Sequence, residues 1–383
     1  MKHQFEFIEP VDEVVLNFIE QLPDQALGKT VRFHTDNESP FDLSNIRLVL
    51  ISIEDRYDKK TNVDFSKIRE QFYSLFPGNW DYAIADLGTV VAAENFEHTN
   101  YLLQNTLEVL IKNNIIPIIL GGSQKYAYSN YRAYESLEHL VNVVNIDHRF
   151  DLGNASTPIE GHSFAGKMVV EKPIILFNYA NLGYQSYLNP IEETDLMENL
   201  YFEKYRLGEI KSDITLAEPV LRDADIVCID YNSIKSNETG FATLHQPNGF
   251  EGTEICALSR YAGISDKVSS FGIYEINTIT FNSIGENLIA QMIWYFIEGY
   301  HFRSNDFPYT TRNQYKKFIV TQEGDDLIFY QSPKSGRWWM EVPLKEINNK
   351  WQRNSLIPCQ HKDYLDACNN IVPERWWRAF KKF

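Results

Sequence analysis

Short, continuous apolar runs alternate along this chain with longer stretches in which apolar positions recur every three to four residues. The runs are Ile46 to Ile53, Tyr82 to Leu87, Ile115 to Leu120, Val141 to Ile146, Ile174 to Tyr179, Ile226 to Ile229 and Ser270 to Ile276. Their near-unbroken Ile, Val and Leu content is that of strands buried on both faces. The amphipathic stretches Val11 to Gln21, Asn95 to Asn113, Lys125 to Leu140 and Ile284 to Phe302 predict helices. Strands alternating with helices imply an α/β fold whose parallel sheet is covered by helices. In such sheets ligands bind beyond the carboxyl ends of the strands, so the polar residues after each run are the place to look for chemistry.

The texture changes after Asn305, dividing the chain into a main domain over 1–305 and an extension over 306–383. The extension carries hairpin-like pieces, Lys317 to Thr321 and Leu327 to Gln331, and then Gly336-Arg337-Trp338-Trp339-Met340. It ends with Arg375-Trp376-Trp377-Arg378, and five of the seven tryptophans fall within it, which makes it Trp-rich. Two uses of Trp338, Trp339, Trp376 and Trp377 stay open: packing onto the main domain, or an exposed Trp/Arg surface for a protein partner or a second copy.

The 383 residues, 44% of them hydrophobic, suffice for one large domain with an appendage or for two domains. With 36 basic and 52 acidic residues the net charge is −16, which argues against nucleic acid and anionic membrane as partners. No apolar stretch reaches the ~20 residues that membrane insertion needs. Cys228, Cys256, Cys359 and Cys368 form no CxxC pair, and Met1-Lys2-His3-Gln4 does not open a signal peptide, so a cytoplasmic protein with free thiols is expected. Asn154-Ala155-Ser156 and Asn237-Glu238-Thr239 then match the glycosylation pattern by chance. Gly121-Gly122-Ser123 is no P-loop, and no Gly-x-Ser-x-Gly elbow occurs.

Four run ends carry polar residues in a suggestive order: Gly121-Gly122-Ser123-Gln124-Lys125, Asp147-His148-Arg149-Phe150-Asp151, Cys228-Ile229-Asp230, and Tyr274-Glu275-Ile276-Asn277. Alternation along a strand puts Asp147, Arg149 and Asp151 on one face, with a built-in cation between two carboxylates. A guanidinium only donates and cannot ligate a metal. Such an Arg149 would be structural, and its removal would destabilise the fold by several kcal/mol.

These motifs resemble those of the ureohydrolase family of arginases, agmatinases and formimidoylglutamases, over roughly residues 40 to 303. Ile53-Glu54-Asp55 and Asp86-Leu87-Gly88-Thr89-Val90 are similar to the formimidoylglutamase branch. The resemblance implies a three-layer arginase-like fold with a central parallel sheet, and hydrolysis of guanidino or formimino groups by two manganese ions. It also implies ligands at six positions, of which Asp147, Asp151 and Asp230 match. The other three are altered: Ser123-Gln124 stand where the family reads Asp-His, with Gln124 at the histidine ligand, Arg149 replaces a histidine, and Cys228 replaces an aspartate. A two-metal mechanism needs ions roughly 4 Å apart, and one unit charge at that distance from Arg149 would cost about 4 kcal/mol at an intermediate dielectric. The pocket is therefore expected to be degenerate, with no metal cofactor.

His162 falls where the family has a proton-transfer histidine, and Glu275 where arginases face the substrate guanidinium. Each reads equally as a structural residue, and Cys228 as a buried small hydrophobe. Two functions from different classes follow. The first is a protein that has lost the dinuclear site and acts as a non-catalytic binding or scaffold component, with a possible cationic small-molecule ligand. The second is a divergent C–N hydrolase of linear amidines or guanidines using one manganese ion or none, with His162 as acid/base and Glu275 orienting the substrate.

Overall fold

The computed structural model describes the chain except residues 1–4, 6, 36–40, 56–63, 138–139, 241–245, 277–282, 307, 309–311, 323–325, 344–354 and 383. Asn277, Trp351 and the opening tetrapeptide lie outside the described residues.

All seven apolar runs become strands: β3 (Ile46–Glu54), β4 (Ala83–Val91), β5 (Ile116–Gly121), β6 (Val141–Ile146), β7 (Leu176–Tyr184), β9 (Ile226–Asp230) and β10 (Ser270–Tyr274). Short strands β1 (Ile8–Glu9), β2 (Arg32–Phe33) and β8 (Glu203–Arg206) join them. The sheet order is β1-β4-β3-β5-β10-β9-β6-β7-β8, with β2 also beside β4, and every pair is parallel except β1 with β4.

Alternate strand residues feed two separate cores. Leu48 and Leu50 pack with helices Glu13–Glu20, Phe65–Ser74, Gly252–Ile264 and Ser283–His301 on one face. Val49, Ile51 and Ile53 pack with helices Phe96–Lys112, Tyr126–Arg132 and Phe164–Val170 on the other. The result is the three-layer α/β arrangement with a mostly parallel central sheet. Helix starts follow local chemistry, with Asp12, Asp64 and Asn95 accepting from the backbone N–H two residues on. The expected helix over Lys125 to Leu140 is shorter. It stops at Arg132, whose Nη1 donates to Pro173 O at 3.1 Å, and a short 3-10 turn, Glu135–Leu137, follows.

The extension forms its own antiparallel sheet, β11 (Lys316–Val320), β12 (Leu327–Gln331), β13 (Trp338–Glu341) and β14 (Leu356–Cys359), with helices His361–Cys368 and Glu374–Lys381. It is bolted to the amino ends of the main strands. Arg375 Nε meets Glu203 Oε2 at 2.7 Å, Arg378 Nη1 donates to Phe202 O at 2.9 Å, and Arg222 Nη2 donates to Cys359 O at 3.0 Å. Trp339 lies under the Arg222 guanidinium at 4.6 Å, and Trp338 stacks with His361 and Tyr364 at 4.9 and 5.1 Å. Trp338, Trp339 and Trp376 are buried, while Trp377 is 44% exposed. Of the two uses left open, packing holds for Trp338, Trp339 and Trp376, because each has aromatic, guanidinium or aliphatic neighbours to cover it. Cys228, Cys256, Cys359 and Cys368 are free thiols, and among the described residues no helix is long and apolar enough to cross a membrane.

Candidate functional site

Strands β5, β10, β9 and β6 are consecutive neighbours in the centre of the sheet, so their carboxyl ends bring the four polar motifs together. A cavity of about 410 Å³ opens there, with Gln124, His148, Asp151, Asp230 and Glu275 inside it and Lys125, Arg149 and His162 around it. The register sets Asn145 opposite Cys228, and Cys228 opposite Gly272, one residue before the end of β6 and two before the ends of β9 and β10.

The segment after β6 does not continue as a strand. Asp147 Oδ1 accepts from the Arg149 backbone N–H at 2.8 Å, which turns the chain, and Asp151 sits at φ 54° in the left-handed region. Side chains from neighbouring segments clamp this bend. Asn189 Oδ1 accepts from Phe150 N at 2.8 Å, Asn189 Nδ2 donates to His148 O at 3.0 Å, and Tyr179 OH donates to Phe150 O at 2.9 Å. Strand alternation therefore fails at these residues. Arg149 is exposed at the rim and forms no ion pair with Asp147 or Asp151, so the built-in cation is overturned. His148, 6% exposed, takes the inward place instead. Arg149→Ala is accordingly expected to change stability by no more than about 0.5 kcal/mol, read from the urea midpoint; a loss of several kcal/mol would restore the internal salt bridge.

The floor of the cavity is acidic. Asn145 Nδ2 lies 3.0 Å from Asp147 Oδ2, 3.1 Å from Asp151 Oδ2 and 3.1 Å from Tyr179 OH, tying the two carboxyls together. Burial alone would raise Asp147, but the neighbouring His148 and the Asp151 carboxyl hold it below the usual carboxylate range. Burial and the charge of Asp147 push Asp151 well above that range. Asp230 is likewise driven up, by burial and then by Asp147 and Glu275. His148 Nδ1 faces Asp147 Oδ1 at 3.1 Å and Asp230 Oδ2 at 3.5 Å.

The remaining expected residues divide between floor and mouth. Gln124 is buried, its Nε2 donating to Asn145 Oδ1 at 2.8 Å and its backbone N–H to Glu275 Oε1 at 2.7 Å. Ser123 is buried beside it. Glu275 is held at φ 57°, and a Cβ at Gly161 would meet its Oε1 at 2.6 Å, so a side chain there would displace the Glu275 carboxylate. Cys228 is fully buried, and burial pushes its thiol up, out of reach of thiolate chemistry. His162 stands at the mouth, its side chain 60% exposed and its Nε2 3.4 Å from Glu160 Oε2, away from the carboxyl cluster. Lys125 Nζ at the mouth pairs with Asp55 Oδ2 at 2.6 Å. Sequence reasoning missed His148, Asn145, Tyr179 and Asn189. Asn145 left a signal, a polar residue inside an apolar strand two positions before Asp147.

Residues 59–297, more than half of the chain, match the arginase family. The chain belongs to the arginase family. A formimidoylglutamase of Geobacillus sp. (strain WCH70) is 26% identical over 215 residues, which are 51% of this chain but only 62% of that relative. Among solved structures, Trypanosoma cruzi formiminoglutamase with Mn2+ is similar at TM-score 0.62 and 15% identity, covering 69% of this chain and 97% of that one. Formimidoylglutamase from Bacillus subtilis gives 0.61 and 16%, covering 69% and 90%. Agmatine ureohydrolase of Thermoplasma volcanium gives 0.56 and 17%, covering 74% and 97%. At these identities the structural likeness is one of fold.

Against the arginase-family ligand pattern, this donor set does not fit a pair of manganese ions. The Gln124 amide is engaged with Asn145, Arg149 is a cation at the rim, and Cys228 is a buried thiol. Asp147, His148 and Asp230 are different: their donor atoms lie within 4.8 Å of one another, which fits a single ion. The expected lack of a metal cofactor is therefore not confirmed: His148, one residue before the position the sequence pattern singled out, joins Asp147 and Asp230 in a group that could hold an ion.

Proposed function

We propose that this arginase-family protein binds a small cationic ligand of the amidine or guanidine type and does not hydrolyse it by the two-metal route. The observation that carries this reading is a cavity lined by the carboxyl groups of Asp151, Asp230 and Glu275, with Asp147 fully buried beside them, while the positions of Gln124, Arg149 and Cys228 offer no metal donors. Arg149 at the rim suits an anionic group at the other end of the same ligand. Planar guanidinium and amidinium groups donate in parallel pairs, which matches the carboxylate oxygens available here.

The likeness to formimidoylglutamase and agmatine ureohydrolase supports the ligand class. The test pairs calorimetric binding with a turnover assay, run on arginine, agmatine and N-formimino-glutamate with Mn2+ present. Saturable binding is expected, weakened at least tenfold, roughly 1.4 kcal/mol, by Glu275→Gln. Release of urea, ammonia or formamide should not exceed that of Asp147→Ala. Metal-dependent turnover that Asp147→Ala abolishes would overturn this reading in favour of the divergent hydrolase.

A further inference from the structure

We propose that Asp147, His148 and Asp230 form a mononuclear site for one divalent first-row transition cation, with the imidazole Nδ1 of His148 as a direct ligand. His148 is 6% exposed, and its Nδ1 is fully shielded yet makes no hydrogen bond. Asp147 Oδ1 is 3.1 Å away, within ion-pair distance but outside hydrogen-bond geometry. A buried ring nitrogen left without a partner is costly, and a cation accepting its lone pair removes that cost.

The spacing agrees. Around an ion with ligand distances of about 2.1 Å, adjacent donors lie roughly 3.0 Å apart in octahedral and 3.4 Å apart in tetrahedral geometry. His148 Nδ1 is 3.1 Å from Asp147 Oδ1 and 3.5 Å from Asp230 Oδ2. Both carboxylates are fixed beforehand from the far side: Asp230 Oδ1 accepts from Asn232 N at 2.7 Å, and Asp147 Oδ2 faces Asn145 Nδ2 at 3.0 Å. That second layer orients the donors before any ion arrives. Two carboxylates and one imidazole suit manganese, cobalt or zinc, and the cavity leaves space for water at the remaining positions.

Ligation through Nδ1 uses the ring tautomer whose proton sits on Nε2. This inference concerns the same cavity as the proposed function but is read without turnover, so the two fail separately.

The chelator-treated full chain is titrated with MnCl2 while the signal of free Mn2+ is followed by electron paramagnetic resonance. One Mn2+ per chain is expected, with nitrogen-14 modulation in the pulsed spectrum. His148→Asn should weaken binding at least tenfold and remove the modulation, whereas His162→Asn should change neither. Two ions per chain, one ion without nitrogen coupling, or no saturable binding of either Mn2+ or Co2+ to the wild-type chain would overturn the site, and none of these readings depends on a variant folding. Turnover by the loaded protein would overturn the proposed function and leave the site standing.

Discussion

Asp86→Asn is expected to cost about 3–5 kcal/mol of stability, because it strands a guanidinium inside the protein. Arg69 is 4% exposed and Asp86 is fully buried. Their contact is bidentate, with Nε to Oδ2 at 2.7 Å and Nη2 to Oδ1 at 3.0 Å. Asp86 also accepts from Gly88 N at 2.8 Å and from Tyr73 OH at 2.5 Å, while Arg69 Nη2 reaches Gly88 O at 2.9 Å and Ser52 Oγ at 3.1 Å. Burial alone would depress Arg69, and the carboxylate raises it instead, so it stays charged with no water to turn to. Asparagine keeps the shape and removes the charge. Tyr73→Phe, which deletes one neutral donor, should cost only ~1 kcal/mol. Urea unfolding of the two variants decides the matter: equal, small losses would mean that the pair contributes packing and not charge compensation. The affected strand, β4, lies outside the four that carry the cavity, so ligand affinity of the folded fraction should not move.

The second large effect is a pH dependence of the extension. Burial would raise Glu203, but Arg375 overrides it and pulls the carboxyl from the ordinary 4.5 to about 2. The folded carboxyl then binds a proton more weakly than the unfolded one. Its contribution to stability is complete above about pH 4.5 and disappears as the pH falls toward 2, and its size is on the order of 3 kcal/mol. Intrinsic fluorescence of Trp338, Trp339 and Trp376 should therefore report loosening of the extension across this window. Glu203→Gln should loosen it already at neutral pH and flatten the acid dependence, because the partner left behind is a buried Arg375. Identical acid profiles for the two proteins would show that other contacts hold the extension.

Much of the architecture was legible in the chain because burial on both faces leaves a simple trace. β6 has the bounds that its apolar run predicts, and Gln124, Asp147, Asp230 and Glu275 converge because each closes a neighbouring strand. Short strands such as β8 and β14 left no such trace, since their register is set by partners distant in the chain. The error at Arg149 had a definite physical origin. Period-two alternation holds only while the backbone stays extended, and an Asx turn at Asp147 breaks it at the residue that mattered. The side chains that enforce this bend, Tyr179 and Asn189, come from other elements and carry no motif. The tryptophans posed the opposite problem: composition marks them as conspicuous, but only the assembled sheet tells burial from display.

The extension grips the amino ends of the strands while the cavity opens at their carboxyl ends. Asp223, which lies 3.7 Å from Arg375, precedes β9, and Asp230 closes it. The strand that ends in Asp230 has five residues, roughly 16 Å at ~3.3 Å each. A fluorophore or surface tether placed at Trp377 would thus report on, or hold, the molecule from behind, with the mouth of the cavity left open to solution.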